Sequence, residues 1–232
     1  MSEKKPITLK IEDKLKHETI NFILDTNTIR FKNGASEHED RNEAVKEFFK
    51  YTDTHKETYN FVVPWQVGSE LRIYIYRVRE LHKDNEELLK NVANVEEYLK
   101  EIEFVKCKAN EIQEEEIRTL FEYLKANYEF TDENGGRIKL NSLKTDDARI
   151  LLTAIQEDVS IITHNVKDFM PVLAFEKAIW NPVNDKIYRL TDDAHKVFKE
   201  DETLQNWLSS ISSSFVYGIS DEEEQRIIDG LK

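Results

Sequence analysis

The segment NFILD, residues 21–25, decides the fold, because it is a short apolar run that ends on an acid. Such a run followed by turn-forming residues is typical of a buried strand, with Asp25 at its carboxyl end. Two further runs, FVV at 61–63 and VSIIT at 159–163, are also of strand type, because β-branched residues dominate them. The chain is therefore expected to build its core around several short strands.

Amphipathic segments alternate with these strands. Apolar residues recur at helical spacing over residues 38–52, 64–81, 85–104, 110–127 and from 142 or 145 to 155. Alternating strands and helices predict an α/β fold, with a central, mainly parallel sheet flanked by helices in three layers. Pro64 is expected as the first residue of its helix, because proline suits that position.

The segment after residue 163 gives a weaker pattern. Residues 164–169 are expected to be a loop, with His164 at the surface. The runs AIW and KIYRL predict edge strands, and 192–199 and 204–215 predict helices. Trp65, Trp180 and Trp207 are expected in the core, because no basic residues interleave with them as in a base-stacking surface.

With 232 residues, the chain has room for one large core rather than two. We expect an N-terminal segment at 1–19, a main α/β domain at 20–170 that includes a helical insertion at 84–133, and a C-terminal extension at 171–232 packed on the same domain. The insertion is strongly acidic, with about 15 acidic against 6 basic residues. Most of that charge is expected on solvated helix faces that point away from a nucleic acid.

The composition excludes several classes of protein. The apolar share of 39% with 34% charged residues is typical of a globular protein, and no apolar stretch is long enough to span a membrane. The first ten residues lack the apolar core of a secretory signal, so a cytoplasmic protein is expected. One cysteine cannot form an internal disulfide, and the net charge of -13 does not by itself attract nucleic acid.

Four acids share one predicted position in the sheet. Asp25 and Asp168 follow strands, while Glu70 and Asp147 lie in the first two turns of helices. In parallel α/β sheets this edge is where ligands bind. Converging carboxylates repel each other unless a cation lies between them, and hard oxygen ligands suit Mg²⁺ or Mn²⁺. The sequence therefore predicts a divalent metal site.

The same residues resemble the PIN-domain nucleases. The resemblance rests on four blocks in the family's order: Ile23 to Asn27, Val63-Pro64 with Val67 and Glu70-Leu71, Asp147-Ala148, and Ile162 to Asn165 with Asp168-Phe169. It spans residues 21–169 and does not cover the acidic helices or the chain beyond. The family's acidic quartet maps onto Asp25, Glu70, Asp147 and Asp168. Asp146 is the alternative third acid, and some family members carry the fourth acid where this chain has Asn165.

The resemblance implies metal-dependent hydrolysis of RNA phosphodiesters. Asp25 and Asp147 would be direct ligands of Mg²⁺ or Mn²⁺, Glu70 a ligand or a base, and Asp168 a ligand through water. The outer residues that orient these carboxylates would be Asn27, Asp146, Thr163 and Asn165. Family members act as toxins, in RNA processing or in defence, so the resemblance implies an RNA substrate and allows an antitoxin or other regulatory protein and a homodimer as partners.

Charge patterning adds candidates for RNA contacts. Lys144 and Lys167 are the substrate-binding residues that we predict, and Lys139 and Arg149 are the other cations near the proposed ligands in sequence. A catalytically silent PIN-like interaction module is the alternative function, with the acidic helices as its docking surface. A haloacid-dehalogenase-like phosphatase is rejected, because Asn27 replaces its second aspartate and its acidic pair would follow the strand that ends at Thr163.

Overall fold

The computed structural model describes residues 4–13, 20–55 and 57–216. In this part of the chain nine strands form a single sheet. The strands are β1 (Lys5–Asp13), β2 (Ile20–Leu24), β3 (Tyr59–Pro64), β4 (Phe104–Val105), β5 (Tyr128–Asp132), β6 (Arg137–Ile138), β7 (Ser160–Ile162), β8 (Ile179–Asn181) and β9 (Lys186–Leu190). The three predicted strand segments correspond to β2, β3 and β7.

Helices connect most of these strands. They are α1 (Thr26–Lys32), α2 (Glu39–Asp53), α3 (Trp65–Leu81), α4 (Glu86–Glu101), α5 (Glu111–Asn127), α6 (Thr145–Gln156), α7 (Val166–Phe169), α8 (Asp192–Lys199) and α9 (Glu202–Val216), with a 3₁₀ helix at Met170–Phe175. None of the helices in the described ranges is both long and apolar enough to cross a membrane.

The sheet order explains where a site forms. The strands lie in the order β4-β3-β2-β7-β8-β9-β1-β5-β6. From β4 to β8 all neighbours are parallel, while β9 is antiparallel to both β8 and β1. The predicted α/β class with a mainly parallel sheet is therefore confirmed. Because β3, β2 and β7 run in the same direction, their carboxyl ends meet at one edge of the sheet.

Two predicted edge strands lie inside the sheet. AIW and KIYRL form β8 and β9, but β9 continues through backbone pairing to β1, so neither is an edge. Trp180 in β8 is fully buried, and its ring lies 4.7 Å from that of Phe48 on α2. The prediction failed because β1 belongs to the segment before residue 20, whose place in the sheet depends on pairing with distant strands.

The acidic insertion consists of helices whose apolar faces are buried. Helix α4 packs against α3, and α5 packs against α6 and α9. The stripe predicted on α5, which includes Ile117 and Leu120, is fully buried. Glu114 departs from the expectation of solvated charge, because it is buried and its Oε1 lies 2.6 Å from Nε of Arg149. Arg149 therefore pairs with the insertion, which makes it a poor candidate for an RNA contact.

Three local predictions are wrong. Pro64 is the last residue of β3, with ψ at 144°, and the helix begins one residue later. The predicted loop at 164–169 contains the short helix α7, because the chain turns back immediately after β7. Trp65 is 47% exposed at the start of α3, where its ring packs against Phe104 and the guanidinium of Arg72.

Candidate active site

The four predicted acids line one cavity of about 400 Å³ at the carboxyl edge of the parallel strands. Its other walls come from α1, α3, α6 and the turn after β7. The lining residues are Asp25, Thr26, Asn27, Arg30, Glu70, Ile73, Tyr74, Arg77, Lys144, Asp146, Asp147, Asn165 and Asp168. The edge position predicted from the strand and helix pattern thus brings all four acids to one place.

Asp25 is held at the centre of the edge by the neighbouring strand. Its backbone N–H donates to the carbonyl of Ile162 on β7 (3.1 Å), and the Thr163 hydroxyl donates to its Oδ2 (3.0 Å). Burial raises the pKa of Asp25 to about 7, and the charges of Asp147 and Glu70 add to the shift. The charged form of this acid, which is 4% exposed, is therefore unfavourable unless a nearby positive charge stabilises it.

Glu70 reaches the cavity from the second turn of α3. The Thr26 hydroxyl donates to its Oε2 at 2.5 Å. Its Oε1 is buried without a hydrogen-bond partner among the described residues. Burial raises the pKa of Glu70, and the charge of Asp146 raises it further. A buried carboxylate oxygen without a hydrogen-bond partner is chemically suited to a cation, which would offset its lost hydration.

The two candidates for the third acid differ in position. Asp147 is half-buried, and burial raises its pKa to about 6, with the charges of Asp168 and Glu70 adding to the shift. Asp146 is exposed, and its Oδ1 accepts a hydrogen bond from Gln66 Nε2 (2.8 Å). Both line the cavity, but Asp147 is the one whose charge interacts with all three other acids of the quartet.

Asp168 is the most fully hydrogen-bonded of the four acids. Asn141 Nδ2 donates to its Oδ1 (2.8 Å), and Asn165 Nδ2 forms a short hydrogen bond with its Oδ2. The fourth acid of the family's quartet corresponds to Asp168 or to the position of Asn165, and both residues line the cavity. Asn141 was missed from the sequence, because it lies in the segment without regular structure between β6 and α6 and only the fold brings it to Asp168.

The positively charged residues that line the carboxylate cavity differ in part from those predicted. Lys144 lines it, whereas Lys167 is exposed and is not part of the lining. Arg30 and Arg77 supply positive charge that the sequence analysis did not identify. A signal was present for Arg77, because it follows Glu70 by seven residues, which places both on one face of a helix.

The outer residues form a short network around Asp25. Thr163 Oγ1, which donates to Asp25, accepts from the backbone N–H of Asn165 (2.9 Å). Asn27 accepts from Arg30 Nη1 (3.2 Å). His164 is half-buried rather than a surface residue, with its ring edge-on to Phe31 at 5.0 Å. Burial and the charge of Arg41 lower the pKa of His164 to about 4, so its imidazole is neutral at pH 7.

The donor set fits a divalent cation. Buried carboxylates with raised pKa values and a carboxylate oxygen without a donor are what a hard cation stabilises. Across the ranges that the structure describes, no three Asp, Glu, His or Cys side chains are arranged closely enough to hold a metal ion. The carboxylates therefore face one cavity without forming a closed coordination shell.

The fold resembles two solved structures. One is VapBC2 from Rickettsia felis bound to a DNA fragment from their promoter, at 16% identity and a TM-score of 0.43, covering 66% of this chain and 92% of that one. The other is FitAcB from Neisseria gonorrhoeae, at 18% identity and a TM-score of 0.38, covering 69% and 97%.

Both are PIN-domain toxin–antitoxin complexes, the family that the sequence blocks resemble. No protein-family profile and no curated protein sequence matches the chain. Identities and TM-scores at this level carry no conclusion about this chain. The chemistry is argued from the side chains of the cavity.

Proposed function

We propose that this protein is a metal-dependent endoribonuclease that hydrolyses RNA phosphodiester bonds at the carboxylate cavity. The observation that carries the proposal is the gathering of Asp25, Glu70, Asp147 and Asp168 around one cavity, with the pKa values of the first three raised by burial. Such a cluster is unfavourable for folding unless a cation uses it, so its presence favours a metal-binding function over a structural one.

The roles of the residues follow from their surroundings. Asp25 and Asp147 are assigned as ligands of Mg²⁺ or Mn²⁺, with Glu70 as a ligand or as the base for the attacking water. Asp168, whose oxygens both accept from amides, is assigned to contact through water. When bound, the cation polarises the phosphoryl oxygens and lowers the pKa of a water molecule. Lys144 at the cavity is placed to contact a phosphate.

Cleavage of single-stranded RNA tests this proposal. The purified protein is expected to cleave RNA with Mg²⁺ or Mn²⁺, to stop in EDTA, and to lose activity as Asp25→Asn, which removes a ligand charge with little change in volume. Asp84→Asn, an exposed aspartate in the turn before α4, is the matched control and should cleave like wild type. Undiminished cleavage by Asp25→Asn would refute the assignment.

A catalytically silent interaction module is the second candidate. The amide contacts on both oxygens of Asp168 favour it, because they satisfy that carboxylate without a cation. Thermal unfolding with and without Mn²⁺ separates the two. A cation that binds the folded state raises Tm, and the increase should disappear in Asp25→Asn. A silent module would show the same Tm in Mn²⁺ and EDTA.

We extend the proposal to the biological role and location. A toxin or defence effector in the cytoplasm, controlled by an antitoxin or other regulatory protein and assembled as a homodimer, would use this activity against cellular RNA. Expression in a bacterial host should then arrest growth, while Asp25→Asn at equal abundance should not. Light scattering of the purified chain would test the homodimer. Equal toxicity of the two proteins would exclude a role that depends on cleavage.

A further inference from the structure

A second cavity, the cationic cavity, adjoins the active site. It measures about 310 Å³ and lies between α1, α2 and α3. Its lining residues are Asn27, Arg30, Phe31, Ser36, Glu37, His38, Arg41, Tyr74, Val78, His82, Leu88 and His164. Three of them, Asn27, Arg30 and Tyr74, also line the carboxylate cavity, so the two cavities share a wall.

The two cavities have opposite charge. The carboxylate cavity gathers acids, whereas the charged residues that line the cationic cavity are two arginines, Arg30 and Arg41, and the single acid Glu37. No ion pair joins either arginine to a carboxylate within the described ranges. In a protein of net charge -13, a cavity with two arginines that form no ion pair in those ranges is electrostatically suited to an anionic ligand.

Two buried side-chain nitrogens of this cavity lack hydrogen-bond partners among the described residues. Arg30 Nε and His164 Nδ1 are buried and form no hydrogen bond in the described part of the chain. The Arg30 guanidinium is fixed by stacking on the Tyr74 ring, 4.0 Å from its centroid. Buried polar atoms without partners are rare in folded proteins, and an oxyanion would accept from Arg30 Nε and, in the tautomer with its proton on Nδ1, from His164.

We propose that the cationic cavity binds a phosphate group of the nucleic acid, next to the phosphodiester that is cleaved in the carboxylate cavity. The inference rests on the proposed function, because the shared wall makes one strand the natural occupant of both cavities. Arginine is suited to this role, since its planar donors match phosphate oxygens in pairs. The phosphate would be an internal phosphodiester of the strand or a terminal monophosphate, and both offer the same oxyanion.

Another basic cavity supplies a matched control. It has a volume of about 380 Å³ and contains Lys4, Lys125, Arg137 and Lys139, but it shares no lining residue with the carboxylate cavity. Its arginine is already paired, with Arg137 Nε 2.7 Å from Glu129 Oε1. Arg41→Gln and Arg137→Gln therefore remove the same charge from two cationic surfaces, of which only the first adjoins the acids.

The experiment measures RNA binding in EDTA, where the strand is not cleaved. An internally labelled strand of about eight nucleotides is used with a 5′-hydroxyl, a 5′-phosphate or a 3′-phosphate, and Kd is measured by fluorescence anisotropy at several salt concentrations. Arg41→Gln is expected to weaken binding about tenfold, whereas Arg137→Gln should bind like wild type. Arg41→Lys, which keeps the charge, should recover part of the affinity.

The pattern across the three strands identifies the phosphate. Loss of affinity only for one phosphorylated end means that the cavity holds a terminal monophosphate. Equal loss for all three, with the salt slope reduced by about 0.7, means that it holds an internal phosphodiester. Wild-type affinity in Arg41→Gln, or a loss confined to Arg137→Gln, would overturn the proposal. Thermal unfolding of each variant shows whether a loss of affinity reflects misfolding. His164→Gln changes a different wall of the cationic cavity and tests the same loss of RNA affinity.

The two proposals can fail separately. If wild type binds RNA through Arg41 but never cleaves it in Mn²⁺, the nuclease function is wrong and the phosphate site stands. If wild type cleaves RNA and Arg41→Gln leaves both Kd and KM unchanged, the nuclease function stands and the phosphate site is wrong. Absence of RNA binding by wild type would overturn the phosphate site outright.

Discussion

Asp25 is the buried acid of the site whose pKa is raised to about 7. Its carboxylate is 4% exposed, receives the Thr163 hydroxyl at 3.0 Å and faces the charges of Asp147 and Glu70. The hydrogen bond favours the charged form, but burial outweighs it, and the pKa rises to about 7. At neutral pH without a cation, the folded protein therefore contains a carboxylate that is close to half protonated.

The first prediction concerns stability and pH in EDTA. An unfolded aspartate has a pKa near 3.9, so between about pH 4 and 7 the folded state holds a proton that the unfolded state has released. Stability contributed by protonated Asp25 is fully present below about pH 4 and is lost as pH rises through about 7. Wild type should unfold at lower urea concentration at about pH 8 than at about pH 5.

Asp25→Asn should remove much of this pH dependence. The neutral amide avoids the buried charge, so the variant should be more stable than wild type at about pH 8, by the order of 1 to 4 kcal/mol. Urea unfolding at several pH values measures the difference, and Asp84→Asn should keep the wild-type slope. A variant with the same pH slope as wild type would show that Asp25 is not the titrating group.

The second prediction concerns the hydroxyl that orients Glu70. Thr26→Val removes the donor to Oε2 while keeping the shape of the side chain, so we expect cleavage to fall about 10- to 100-fold with little loss of stability. Thr28→Val is the matched control on the same helix. The Thr28 hydroxyl donates to the Ile162 carbonyl (3.2 Å), so its loss should lower stability by about 1 kcal/mol and spare activity.

Measuring kcat and unfolding free energy for both threonine variants tests this assignment. Loss of activity in Thr28→Val alone would mean that the hydroxyl that donates to the Ile162 carbonyl matters more than the one that donates to Glu70.

At the scale of elements, an ion pair joins helix α5 of the acidic insertion to helix α6, which carries Asp147. Glu114 on α5 is 6% exposed and contacts Arg149, which lies on α6 two residues after Asp147. The sequence predicts that most of the insertion's charge lies on solvated helix faces, where neutralising a glutamate changes stability little. The buried pair changes that expectation, because removing one partner leaves the guanidinium without its acceptor.

The third prediction follows from this pair. Glu114→Gln should lower the free energy of unfolding by about 1 to 2 kcal/mol, a modest loss because Arg149 stays partly solvated. Glu115→Gln changes the same charge at an exposed neighbouring position and should leave stability unchanged. Urea unfolding of the two variants makes the comparison, and equal stability would mean that the pair contributes nothing.

At the scale of the whole molecule, strand β1 connects β5 and β6 to the other six strands of the sheet. β1 pairs with β9 on one side and β5 on the other, and the side chains of Ile7 and Leu9 are fully buried. Strands β5 and β6 reach the rest of the sheet through β1 alone. Residues 5–13 are therefore part of the core of the described protein, although they precede the segment that resembles a nuclease domain.

The fourth prediction tests that role. Leu9→Ala should cost about 2 to 5 kcal/mol in a single cooperative transition, because it opens a cavity in a shared core. Thr8→Ala, an exposed neighbour on the same strand, should cost far less. Far-ultraviolet circular dichroism and tryptophan fluorescence would follow the transition. Separate transitions for the two probes would mean that the strands beyond β1 unfold independently.

The sequence alone determined the parallel half of the sheet and the position of the acids. Strands such as β2 are short runs of buried β-branched and aromatic residues, and helix α3 carries a clear apolar stripe, so local patterns were sufficient. An acid directly after a parallel strand lies at the ligand-binding edge whatever surrounds it. Asp25 and Glu70 could therefore be identified before the fold was known.

The tertiary structure decided what depends on contacts between distant residues. The place of β1 between β9 and β5, the amide of Asn141 on Asp168, and the pairing of Glu114 with Arg149 join parts of the chain with no common local pattern. The cationic cavity is of the same kind, because Arg30 and Arg41 acquire a shared wall with the acids only when α1, α2 and α3 pack. Hydrophobic periodicity records which face of an element is buried, but not which element covers it.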